Sequence, residues 1–108
     1  MATSQIEIKK DIIPYTFEMV LANEVFNFRV DYNNKADLFT IAVSKDGVEL
    51  CAGEPIVYGI PLFVDLFTRG GFPRVGILPI DASGESNAVT FDNLSETVIL
   101  SVTGGGNY

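Results

Sequence analysis

The sequence predicts an all-β fold: a small antiparallel β-barrel or sandwich of six to eight short strands with one short helix, a single domain over residues 1–108. Three observations carry this. Apolar and polar residues alternate with period two through several stretches, the spacing of half-buried strands. An Asp-Gly pair joins two of those stretches. The chain is 47% apolar, with eight Phe and four Tyr, which is material for one core and no more.

The elements follow in order. Ile6 and Ile8 alternate with Glu7 and Lys9, a short first strand that ends before Pro14. Residues 19–21 pair with the next strand across Ala22, Asn23 and Glu24. Residues 24–32 put Phe26, Phe28, Val30 and Tyr32 on one face and Asn27, Arg29 and Asp31 on the other. After a polar loop at 33–37, residues 38–44 turn Phe39, Ile41 and Val43 inward. Lys45-Asp46-Gly47 is a hairpin signal, because Asp and Gly tolerate the positive φ of a type I′ turn. Centring that turn on Asp46 and Gly47 sets Ser44 opposite Glu49, Val43 opposite Leu50 and Ile41 opposite Ala52.

Pro55 and Pro61 bracket a brief extended edge piece at 56–58. Leu62, Phe63, Leu66 and Phe67 fit helical spacing behind Pro61, so the short helix is expected over 62–69, stopped by Gly70-Gly71. Residues 74–80 form a strand broken at Pro79. Residues 81–87 are small and polar, the expected mobile loop. Residues 97–103 are the last strand, with Val98, Leu100 and Val102 on one face, and 104–108 a flexible tail.

The chemistry is sparse. There is no His, and Cys51 is the single cysteine, which reads as a buried structural thiol. No Gly-rich phosphate loop is present. Asp81, Glu85 and Asp92 do not match calcium-loop spacing. The reading is therefore no enzyme, no metal and no cofactor. Fourteen acidic against seven basic residues give a net charge of −7, which disfavours nucleic acid and anionic membranes as partners. No apolar run is long enough for a membrane span, and no signal peptide is evident, so a protein made and kept in a cytoplasm is expected. An OB-like nucleic-acid-binding barrel would also show alternating aromatics, but here they point inward and basic residues are few. A free-standing protein- or ligand-binding β-domain stays open as the alternative.

One ordered set of features is more specific. Phe28-Arg29-Val30-Asp31-Tyr32-Asn33 precedes Leu38-Phe39-Thr40-Ile41-Ala42-Val43 and Asp46-Gly47. Ala52-Gly53, Gly59-Ile60-Pro61-Leu62, Asp65-Leu66 and Phe91-Asp92-Asn93-Leu94 follow. Over roughly residues 26–100 the chain resembles the baseplate plug proteins of contractile, cyanophage-type tailed phages. It departs from the family pattern at Ser95, where the family usually carries Gly, and around Phe67, where a longer helix is common. The stretch 61–65 is also short.

The resemblance implies a structural virion protein of the tail baseplate, plugging or adapting the central tube or hub near the spike. Its partners would be other tail proteins (hub, tube, spike or tape measure), with several copies around the tail axis. The interface candidates are then Pro55, Ile56 and Tyr58, Pro61, Phe63 and Phe67, Phe72 and Pro73, and Tyr108. Ordinary core or loop packing would give the same residue types at these places.

Overall fold

The alternating stretches resolve into seven strands in the computed structural model, which describes residues 4–21, 23–64, 66, 72 and 75–104. They are β1 (Ser4–Ile6), β2 (Tyr15–Leu21), β3 (Glu24–Asn33), β4 (Leu38–Lys45), β5 (Val48–Pro55), β6 (Val75–Ile80) and β7 (Ile99–Gly104), with a 3-10 turn at Lys10–Ile12. Two antiparallel sheets form, β2-β3-β4-β5 and β1-β7-β6. The chain starts in the smaller sheet, builds the larger one as a meander, and crosses back to finish beside its own beginning. The sandwich alternative is thus the one realised.

Both sheets give their inward residues to one core. Phe26, Phe28, Val30, Phe39, Ile41 and Val43 come from the larger sheet, and Ile6, Ile77, Leu100 and Val102 from the smaller. Two rings from the connection between β5 and β6 complete it. Phe63 packs 6.1 Å from Phe28 and 5.3 Å from Phe72, and Phe72 lies 5.2 Å from Phe26 in an edge-to-face contact. Quadrupolar rings favour such tilted pairs over face-to-face stacking.

The hairpin between β4 and β5 forms as expected at its tip. Asp46 and Gly47 take φ of 54° and 79°, and Ser44 faces Glu49. Beyond that pair the expected register fails. Val43 faces Cys51 rather than Leu50, and Ile41 faces Glu54 rather than Ala52, because two register shifts each insert an extra residue into β5. The inserted residues place Leu50 and Cys51 side by side as half-buried neighbours and leave Ala52 and Gly53 exposed. Cys51 is accordingly half-buried, not enclosed as the sequence suggests.

Three further expectations change. β6 runs through Pro79, which pairs with Leu100. Being an edge strand, β6 loses no ladder bond to a proline whose absent N–H points outward. The expected helix does not begin at Leu62. Residues 62–64 form a turn with Phe63 at φ 62°, a left-handed conformation no α-helix includes. Leu66 is helical, and Phe67 and the rest of the segment to Gly71 lie outside the described residues. The loop at 81–87, expected to be mobile, is organised around a buried carboxylate. Asp81 accepts hydrogen bonds from the Ser83 amide at 2.9 Å, the Ser83 hydroxyl at 2.6 Å and the Ser86 amide at 3.0 Å. These bonds, that of the Ser83 side chain foremost, hold its carboxyl down at about 2 against an ordinary 3.8.

Candidate docking surface

Among the described residues no three His, Cys, Asp or Glu side chains gather as metal ligands, and every buried side-chain polar atom has a hydrogen-bond partner. What the fold does present is an apolar surface along the connection that leaves β5 and enters the smaller sheet.

This connection is stitched to both sheets by its backbone. Pro55 ends β5 opposite Thr40, and the Ile56 amide donates to the Phe39 carbonyl at 2.9 Å. The chain then crosses to β6, where the Gly59 and Leu62 amides donate to the Pro79 and Ile77 carbonyls, each at 2.9 Å. Gly59 sits at φ 75°, which only a glycine adopts without strain. The Glu54 carboxylate caps the crossing by accepting the Phe63 amide at 2.7 Å. The outer edge of β6 is therefore covered.

With both sides of the backbone held, the side chains divide cleanly. Ile56, Leu62, Phe63 and Leu66 go into the core. Val57, Ile60 and Val64 go outward, 44%, 55% and 45% exposed, flanked by the exposed rings of Pro55 and Pro61. A shallow groove of about 210 Å³ adjoins them, lined by Leu38, Ile56, Val57, Tyr58, Ala88 and Val89 among others. Five outward apolar residues within ten positions make a surface suited to burial against another chain.

The candidates named from the sequence fall on both sides of this division. Pro55 and Pro61 are exposed and Tyr58 half-buried, with its hydroxyl accepting the Asp81 amide at 3.1 Å. Ile56, Phe63 and Phe72 are core residues whose side chains turn to the interior. Phe67, Pro73 and Tyr108 lie outside the described residues. The sequence reading thus named the segment but missed Val57, Ile60 and Val64 within it. A signal for Val57 was present: alternation carried on from β5 puts Glu54, Ile56 and Tyr58 on one side and Pro55 and Val57 on the other.

Exposed apolar side chains also occur elsewhere. At the tips of the β2–β3 and β4–β5 hairpins Val20, Val25 and Val48 are exposed beside an ion pair of Lys45 with Glu24 at 2.8 Å. At the opposite end Phe91 leans on Tyr32 and Phe39, and Asp37 accepts both the Tyr32 hydroxyl at 2.7 Å and the Phe91 amide at 2.9 Å. The bond to Asp37 holds the Tyr32 hydroxyl above its ordinary pKa.

The family model described as cyanophage baseplate Pam3 plug gp18 matches residues 3–104, which include every strand. No match is found among curated proteins.

Proposed function

Since the chain belongs to the cyanophage baseplate plug family, we propose that it is a structural, non-catalytic plug that closes or adapts the central tube or hub of a contractile tail near the spike. Membership makes it a phage baseplate component whose partners are other baseplate and tail proteins. The family match over residues 3–104 carries the reading. The apolar connection at 55–64 supports it, since a domain that works by being held needs a surface that gains from burial. An apolar area of a few hundred Å², at ~25 cal/mol per Å², is enough to favour docking once several copies and neighbours act together.

The finer placement comprises a position on the tail axis, several copies around it, and contacts with hub, tube, spike or tape measure. The test is electron microscopy of tails from the phage encoding this chain, with the chain marked by a bound antibody fragment. Density on the tail axis at the baseplate is the expected result. Density elsewhere, or particles lacking the chain, overturns the proposal.

A further inference from the structure

The sandwich has four sheet edges, and three of them are protected among the described residues. β6 is covered by the Gly59 and Leu62 amides. β5 carries two bulges and ends in Pro55, devices that spoil an edge for further pairing. β1 is three residues long. β2 is different. It runs seven residues in unbroken register with β3, and no described backbone group hydrogen-bonds to its outer side.

The register fixes which groups face out. β2 and β3 join across two residues, with Leu21 opposite Glu24. A loop of that length closes on a hydrogen-bonded pair, so the N–H and C=O groups of Tyr15, Phe17, Met19 and Leu21 turn toward β3. Those of Thr16, Glu18 and Val20 turn away from it. The same three residues are exposed, Val20 at 61%, and the Glu18 carboxylate has no ion-pair or hydrogen-bond partner among the described residues.

From this we infer that β2 accepts an added antiparallel or parallel strand from another tail protein, one that places Lys or Arg beside Glu18 and an apolar residue beside Val20. The inference rests on the plug reading and names how one partner is engaged. Charge selects against a second copy of this chain. Each copy carries −7, and self-pairing centred on the strand sets Glu18 against Glu18. An added strand gains main-chain hydrogen bonds for affinity and alternate side chains for specificity.

The test is amide hydrogen exchange on the full chain, free and within tails purified from the phage. In the free chain the Thr16, Glu18 and Val20 amides exchange fast, and in the tail they become protected. If the chain is in the tail and these amides exchange as before, strand addition is overturned while the plug reading stands. If the chain is not in the tail, the plug reading itself fails. Two variants accompany this. Glu18→Pro removes one outward N–H at a position where an edge strand tolerates proline, and Glu18→Lys reverses the charge. Each lowers incorporation into tails by about tenfold, the loss of one well-placed polar contact. Wild-type incorporation of a folded Glu18→Lys chain contradicts the inference, as does a free chain that sediments as a dimer with β2 amides protected.

Discussion

The Ser95 hydroxyl accepts the Ile8 backbone N–H at 2.9 Å across 87 residues of sequence, tying the turn before β7 to the segment that follows β1. Ser95 makes this bond from φ 67°, a conformation that favours glycine, while its own amide donates to the Val98 carbonyl at 2.7 Å. A glycine would take this backbone without strain. This chain accepts strain at Ser95 and uses the hydroxyl to satisfy an N–H next to the core.

The two effects separate by substitution. Ser95→Ala keeps the strained backbone and strands the Ile8 N–H, and should cost about 1–3 kcal/mol. Ser95→Gly also loses the hydroxyl but relieves about 1 kcal/mol of strain, so it should fall between wild type and Ser95→Ala in denaturant unfolding. Equal stability of Ser95→Ala and wild type would show that the hydroxyl contributes nothing.

Asp81 makes stability depend on acid. Its carboxyl is held at about 2 when folded against an ordinary 3.8, so its stabilising contribution is complete above the unfolded value. That contribution is lost as pH falls from about 4 to about 2. In chemical unfolding measured across this range, Asp81→Asn should fall less steeply than wild type. Parallel curves would mean that the Ser83 and Ser86 bonds do not distinguish the charged form.

The Gly47 turn has no steric limit but a conformational one. A Cβ there would meet nothing within 4 Å, yet φ is 79°. Gly47→Ala should therefore cost about 1 kcal/mol through backbone strain alone, read from the unfolding midpoint with an unchanged denaturant slope. A change several times larger would point to a hidden contact at the hairpin tip.

Phe28 tests the core. It is 1% exposed and touches both Phe17, at 5.3 Å, and Phe63. Phe28→Ala should destabilise by about 3–5 kcal/mol, a large share of the roughly 5–15 kcal/mol that holds a domain folded. A thermal melt within a few degrees of wild type would mean that the ring sits outside the core.

Much of this architecture is legible in the sequence. Alternation is a local property, and it located β3 and β4 and the inward faces of Phe26, Phe28 and Phe39. The Asp46-Gly47 turn was legible because its φ values demand those residue types. The bulges in β5 were not, since an extra residue is absorbed by pairing with a neighbour and leaves only a broken alternation at Leu50-Cys51. Phe63 was misread as helical because spacing says nothing of φ, and its backbone is set by Glu54, nine residues away. The same gap hid which side chains of the connection face outward. Large rings looked like anchors, but the smaller Val57, Ile60 and Val64 are the ones left outside.

The exposed side chains of Val57, Ile60 and Val64 form the proposed docking surface. The most direct measurement replaces Val57 and Ile60 together by Asp, then compares thermal stability of the purified chain with its amount in tails recovered from infected cells. Both side chains already face solvent, so the melting temperature should hold, while incorporation should fall about tenfold or more for loss of a buried apolar contact. A stable variant recovered in tails at the wild-type amount would contradict docking through this surface.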